Sequence, residues 1–174
     1  FLVDTLIANP KLADNKAVFH VDHANLATGL VVSSPGETEI AAGKLAMRLQ
    51  KDASGNPIDA PPKYILFPAT LEATVDKLLA TLYPAQPADA VVSPRNLTPV
   101  VEPRLDAKGQ GSAWYLFADP SIAPVFEYSE LSGYEGPQVE VKQGFDTLGL
   151  ELRVVWHLGA GAIDSRGAWK NPGQ

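Results

Sequence analysis

The clearest alternation of apolar and polar positions lies in SSPGETEIAAGKLAMRLQKD, residues 33–52. Ser34 suits the N-cap, Pro35 suits the first helical position, and Glu37 completes a capping box with Ser34. The apolar side chains expected on one face are Ile40, Ala41, Ala42, Leu45, Ala46 and Leu49, and those expected on the other are Glu37, Lys44, Arg48 and Lys51. This spacing predicts an amphipathic helix over residues 35–51.

A strand and a second helix follow this first helix. KYILF, residues 63–67, has the length and composition of a short buried strand, and Pro68 ends it. Residues 69–82 then show helical spacing, with the apolar positions Leu71, Val75, Leu78, Leu79 and Leu82 on one face. Since each helix has a single apolar face, each must pack on a sheet or on another helix.

The second half of the chain has the period of strands. YPAQPADAVVSP, residues 83–94, reads as a loop rich in proline and alanine. Strands are predicted within residues 98–105, 112–118, 124–131, 137–143 and 147–158. In the last of these, alternate residues from Leu148 to Trp156 are apolar, whereas His157 falls on the polar face. The order of elements predicts an α+β fold with mostly antiparallel sheets.

Composition narrows the class of protein. The chain has 174 residues, 45% of them hydrophobic, which suits one domain with a substantial core. Its net charge of -6 gives no general attraction to nucleic-acid phosphates, and no apolar run approaches the ~18 residues of a membrane-spanning helix. The chain has no cysteine, which excludes disulfides, thiolate zinc ligands and thiol nucleophiles.

The strongest candidate for chemistry is VFHVDHANLA, residues 18–27. His20, Asp22 and His23 are metal-ligand types within four positions, and His157 is the third histidine of the chain. In an extended strand, however, His20 and Asp22 face opposite to His23, and Val18 occupies the first histidine position of the H-x-H-x-D-H hydrolase signature. A metal-dependent hydrolase is therefore the alternative, and a strand edge followed by a turn is the favoured interpretation.

Other motifs favour structural roles. No serine lies in a G-x-S-x-G elbow, and GAGAID, residues 159–164, lacks the third glycine of a dinucleotide fingerprint and is expected to be a tight turn. Trp114, Tyr115 and Trp156 are expected in the core or at an interface. Trp169 lies in a polar tail and is expected to be exposed or docked on a neighbouring subunit.

Three stretches together carry a family resemblance: FHVDHANLA before the first helix, PPKYILFP before the second, and GFDTLGLELRVVWHLGAGAID near the end. With these motifs, nearly the whole chain resembles the major capsid proteins of tailed phages, specifically head subunits of Mu-like prophages. The chain reads as a C-terminal fragment of such a subunit. The resemblance implies the Hong Kong 97-type fold, with a long spine helix and with peripheral and axial subdomains.

The resemblance also implies a division of the chain. Residues 1–62 would be an extended hairpin region and the spine helix of the peripheral domain, with residues 16–32 reaching a neighbouring subunit. Residues 63–135 would form the axial domain. Residues 136–174 would supply return strands to the peripheral domain and a tail.

The function implied is that of a structural subunit, not an enzyme. Copies would assemble through hexamers and pentamers into an icosahedral shell that encloses double-stranded DNA without sequence-specific binding. A prohead protease or a scaffold is the further partner expected. No cofactor, metal, catalytic residue or membrane contact is implied, and the location would be the virion capsid after assembly in the bacterial cytoplasm.

Overall fold

A computed structural model describes residues 1–29, 32–82, 97–144 and 148–173. The helices are α1 Leu2–Ala8, α2 Glu37–Arg48, α3 Glu72–Leu82 and α4 Pro103–Ala107, with short 3-10 helices at Val21–His23 and Ala69–Leu71. The strands are β1 Pro62–Phe67, β2 Thr98–Val101, β3 Trp114–Ala118, β4 Phe126–Glu130, β5 Gln138–Gln143, β6 Leu150–Val155, β7 Leu158–Ala162 and β8 Ala168–Asn171. The fold is mixed α+β, as predicted.

A four-stranded sheet in the order β2-β1-β3-β8 forms the centre of the fold. Strands β1 and β2 are parallel, with Tyr64 opposite Thr98, whereas β1–β3 and β3–β8 are antiparallel. Two further antiparallel pairs, β4–β7 and β5–β6, lie outside this sheet. The prediction of mostly antiparallel sheets is therefore confirmed.

Both faces of the central sheet are covered, which explains why β3 is apolar along its whole length. Successive side chains of a strand point to opposite faces, so Trp114 and Leu116 belong to one buried cluster and Tyr115 to the other. The first cluster includes Ile40 of α2. Its other buried members are Ala27, Met47, Ala60, Ile65, Phe67, Leu71, Val75, Leu97, Ala118 and Trp169. The second consists of Leu6, Val18, Phe19, Leu105, Ala113, Tyr115, Val125 and Ala168.

Helix α2 is shorter than predicted and buries a different face. Its twelve residues span roughly 18 Å at 1.5 Å per residue, so the long spine helix expected over residues 35–51 is not confirmed. Gly36, not Ser34, is the N-cap, and it makes no side-chain capping bond. Ile40, Gly43 and Met47 are buried, whereas Leu45 and Leu49 are exposed. The buried stripe is therefore rotated from the predicted one.

Gly43 is the reason that this stripe can face the sheet. A Cβ atom at this position would lie 2.6 Å from Leu116 Cδ1 and 2.8 Å from Trp169 Cε3. Neither distance is compatible with normal van der Waals packing. The absence of a side chain at Gly43 thus lets the helix backbone approach β3 and β8 closely.

The first strand and the second helix follow their predictions. Strand β1 ends before Pro68, and a 3-10 turn leads into α3. Leu71 and Val75 are buried, and Leu78 and Leu79 pack against the first cluster. The loop predicted at residues 83–94, and the side chain of Leu82, lie outside the described residues.

Several predictions in the second half of the chain are wrong in detail. The segment 98–105 is a strand only at β2 and then becomes α4, and the predicted strand 147–158 is interrupted at residues 156 and 157. The expected turn at residues 159–164 mostly belongs to β7. The expected polar tail contains β8, where Trp169 is 3% exposed and meets Trp114 with ring centroids 5.4 Å apart.

The three ranges expected as separate parts of the subunit share their cores. The first cluster joins Ile40, from residues 1–62, to Leu116, from residues 63–135, and to Trp169, from residues 136–174. A division at residues 62 and 135 therefore does not correspond to independent hydrophobic cores.

Candidate functional site

The segment that holds the alternative metal site, residues 18–27, packs against β8 of its own chain. Asn25 is fully buried and donates hydrogen bonds from Nδ2 to the carbonyl oxygens of Val18, at 2.7 Å, and Ser165, at 3.0 Å. Its backbone oxygen accepts a bond from the Lys170 amide, and the Ala27 amide donates to the Lys170 carbonyl. The described residues of 16–32 thus pack on their own chain, and an extended loop that reaches a neighbouring subunit stays a prediction.

His23 is held on both sides of its ring. Nε2 lies 2.7 Å from Asp14 Oδ2, and Nδ1 lies 3.1 Å from the carbonyl oxygen of Val18. The backbone oxygen of His23 also accepts a hydrogen bond from Gln50 Nε2. The hydrogen bond from His23 lowers the pKa of Asp14 from its ordinary value of 3.8. Since each ring nitrogen faces an acceptor, neither is directed toward a shared metal position.

His20 and Asp22 are engaged differently. The Nδ1 atom of His20 accepts a hydrogen bond from the Asp22 amide, which caps the 3-10 helix. The Asp22 carboxylate lies 2.8 Å from Lys16 Nζ, and this contact lowers the pKa of Asp22 and raises that of Lys16. The three candidate residues are therefore close in space, but their polar atoms are directed to local partners.

This geometry does not support metal chemistry at the segment. Across residues 1–29, 32–82, 97–144 and 148–173, no group of three or more His, Asp or Glu side chains is arranged to hold a metal ion. His157 is exposed, and its ring meets Tyr134 edge to face at 5.8 Å. The segment acts as a hydrogen-bonded brace between the N-terminal region and the central sheet.

Asp164 and Ser165 follow His157 closely in the sequence and could be considered a triad with it, but they are paired locally. The carboxylate of Asp164 accepts bonds from the Ser165 and Arg166 amides and from the Arg166 guanidinium. Burial raises the pKa of Asp164, but these hydrogen bonds from Arg166 and Ser165 outweigh it and leave the pKa lowered. Asp164 and Ser165 therefore stabilise the loop before β8 and do not form a triad with His157.

Asp4, Glu135 and Glu140, acidic residues from separate parts of the chain, are surface groups. Asp4 lies 3.2 Å from Lys108 Nζ and 3.4 Å from the N-terminal nitrogen. Glu140 pairs with Arg153, and Glu135 accepts a long contact of 3.5 Å from the Gly133 amide. Each of these acidic groups is solvent-exposed.

The feature that sequence reasoning missed is an exposed apolar surface on the β5–β6 hairpin. We call the hairpin face the five aliphatic side chains that point to one side of it, Val139, Val141, Leu150, Leu152 and Val154. Their exposed fractions lie between 60% and 69%. The alternation in β6 predicted an apolar face correctly, but that face does not line the chain's own core.

Further apolar side chains are exposed near the base of the hairpin. Trp156, half exposed at 52%, follows β6 and donates from Nε1 to Glu130. It lines a cavity of about 380 Å³ together with Phe1, Leu2, Val3, Arg104, Tyr128, Glu130 and Leu158. Of the three aromatic residues predicted as core or interface, Trp114 and Tyr115 are fully buried, whereas Trp156 lies at this surface.

None of the helices in the described parts of the chain is both long and apolar enough to cross a membrane.

Comparison with known proteins gives one family match. The family model described as phage capsid protein matches residues 1–171. A solved phage-related protein from Bordetella bronchiseptica RB50 is similar with a TM-score of 0.53 and 12% identity, over 88% of this chain and 57% of that one. A structure from Mycobacterium phage Che8 has a TM-score of 0.45 and 15% identity, over 88% and 56% of the two chains. The chain thus spans little more than half the length of these structures. No curated protein matches it in sequence.

Proposed function

Because the chain belongs to the phage capsid protein family, we propose that its copies assemble into the icosahedral shell of a phage or prophage head that encloses double-stranded DNA. The observation that carries this proposal is the family match over residues 1–171. Family membership supports a structural, non-enzymatic role and a place in the virion capsid. The brace at residues 18–27, whose polar atoms are used within the chain, agrees with such a role.

The fold proposed for the subunit is the Hong Kong 97 type. The mixed α+β architecture and the similarity to the Bordetella bronchiseptica protein support it. In this proposal α2 corresponds to the spine helix in a shortened form. Residues 63–135, which contain α3 and β3, belong to the axial domain, and residues 136–174 return to the peripheral domain, with β8 pairing with β3.

The partners proposed are other copies of the chain in hexamers and pentamers, together with a prohead protease or a scaffold during assembly in the bacterial cytoplasm. The net charge of -6 favours enclosure of DNA without tight binding to its phosphates. A contact with DNA would then depend on the shape of the shell and not on base recognition.

The test is electron microscopy of the full gene product, produced with its scaffold and protease where the gene cluster supplies them. Closed shells of uniform diameter, or rings of five or six subunits, are expected. A single monomeric species at all concentrations under these conditions would contradict the proposal.

A parallel measurement addresses the hydrolase alternative. Titration with zinc is expected to show no stoichiometric binding, because His20, Asp22 and His23 use their polar atoms within the segment. Stoichiometric zinc that is lost in His23→Ala would instead favour the hydrolase.

A further inference from the structure

The β5–β6 hairpin has an apolar face that the described residues of the chain leave in solvent. Val139 stands opposite Val154, and Val141 stands opposite Leu152, so these side chains form adjacent cross-strand pairs on one side. Leu150 extends the row toward the hairpin tip. In an antiparallel sheet with one polar and one apolar face, the apolar face is normally packed against a core. Here it is available to a partner.

The opposite face of the hairpin is polar and charged. Glu140 forms an ion pair with Arg153 across the strands, and Lys142 stands opposite Glu151. The polar face is therefore suited to contact with water, whereas the apolar face is not. A two-stranded hairpin alone is also only marginally stable in water, so a partner on its apolar face would stabilise it.

We propose that the hairpin face docks on a second copy of this chain. The inference rests on the proposed function, in which many copies assemble side by side. The four charged residues of the two strands, two acidic and two basic, sum to zero, although the whole chain carries -6. Identical subunits can therefore approach through the hairpin with less electrostatic repulsion than through an acidic surface.

The size of the hairpin face fits one contact among several in a shell. A stable two-protein interface buries about 800 Å² on each partner, more than five aliphatic side chains supply. The hairpin contact is therefore weak when it acts alone and becomes strong only when each subunit makes further contacts at the same time. Burial of the hairpin face must for this reason be measured in assembled particles.

The experiment uses the absence of cysteine from these 174 residues, because an introduced cysteine is then the only thiol among them. Any cysteine elsewhere in the full gene product is first replaced by serine. Val141→Cys places the thiol on the hairpin face, and Lys142→Cys places a matched thiol on the opposite face of the same strand. Each variant of the full gene product is labelled with a maleimide, both as assembled particles and as dissociated subunits. We expect assembly to slow the labelling of Val141→Cys by about tenfold or more and to change that of Lys142→Cys by less than about twofold.

A second pair of variants tests the energetic consequence. Val141→Asp is expected to abolish particle formation while circular dichroism and thermal unfolding still report a folded subunit. Lys142→Gln, on the polar face, is expected to assemble like the unmodified protein. Both results would follow from burial of an apolar face between copies, since a carboxylate there would have to be desolvated.

Two failures are distinguishable. Particles in which Val141→Cys is labelled as fast as in free subunits, or particles that form normally with Val141→Asp, would overturn the docking surface and leave the shell function intact. Absence of any self-association by the unmodified protein would overturn both proposals.

Discussion

The side chain of Asn25 is hydrogen-bonded to the backbone of Ser165, with a distance of 3.0 Å between Nδ2 and the carbonyl oxygen. The same Nδ2 donates to the Val18 carbonyl, and Oδ1 accepts from the His20 amide. One fully buried amide thus joins the histidine segment to the loop before β8. This contact explains why a stretch with metal-ligand residue types has a structural role in this chain.

Asn25→Ala is expected to destabilise the protein by about 2–3 kcal/mol, because buried backbone groups lose their hydrogen-bond partners. Urea denaturation followed by circular dichroism measures the change. His20→Ala is the control, since the His20 ring is partly exposed and its hydrogen bond goes to the nearby Asp22 amide, and a change of at most about 1 kcal/mol is expected. Equal effects of the two substitutions would contradict the role assigned to Asn25.

His23→Ala is expected to raise the pKa of Asp14 toward 3.8, because the hydrogen bond from His23 is the largest cause of its lowering. A carboxylate with a lowered pKa in the folded state stabilises the fold above its unfolded pKa and loses that effect as the pH falls through its folded pKa. NMR titration of the Asp14 carboxyl carbon checks this. The titration should be unchanged in His20→Ala.

Gly43→Ala is expected to destabilise the protein by about 1–3 kcal/mol, since the added methyl group would overlap Leu116 and Trp169. The gain in helix propensity, about 1 kcal/mol, opposes this effect but is smaller than the cost of strong overpacking. Gly161→Ala is the matched control, because its Cβ would meet no atom within 4 Å. Thermal unfolding of both variants measures the difference, and a higher Tm for Gly43→Ala would refute the close approach of α2 to the sheet.

Tyr115→Phe is expected to stabilise the protein by about 1 kcal/mol. The Tyr115 hydroxyl is buried and has no hydrogen-bond partner among the described residues, so its removal relieves a desolvation cost. The same burial raises the pKa of Tyr115 to about 12. Denaturant unfolding measures the gain, with Tyr128→Phe as an exposed control that should change stability by less than about 0.5 kcal/mol. Destabilisation by Tyr115→Phe would indicate that the hydroxyl has a partner.

Lys63→Met is expected to raise the pKa of Asp119 from about 2 toward 3.8, because the hydrogen bond from Lys63 is the main cause of its lowering. The stabilising effect of the ionised carboxylate is fully present above pH 3.8 and is lost as the pH falls through about 2. NMR titration detects the change. Asp52, whose pKa is lowered mainly by the Asn56 amide, provides an internal control that should not respond.

Local patterns in the sequence predicted most of the elements. Strand β1, helix α3 and strand β5 lie close to where period and flanking prolines place them. The ends of α2 and the start of α4 were less predictable. Capping at Gly36 and the helical turn after Pro103 depend on the backbone conformation of the residues just before each helix.

Periodicity reports that a side chain is on an apolar face, but it does not report what covers that face. In α2 the apolar positions extend around much of the helix, and the close approach at Gly43 selects Ile40 and Met47 for burial and leaves Leu45 in solvent. Trp169 joins the core because β8 pairs with β3 far earlier in the chain, and such a long-range pairing leaves no local signal.

The sequence alone therefore determined the residue chemistry, the alternation of polar and apolar positions and most of the secondary structure, because these depend on neighbouring residues. Tertiary structure decided that residues 18–27 brace the sheet, that β8 closes the core and that the face of the β5–β6 hairpin remains exposed. The physical reason is that burial depends on which distant surfaces meet. Two strands with the same alternation of polar and apolar residues can therefore line a core or a docking surface, depending on what packs around them.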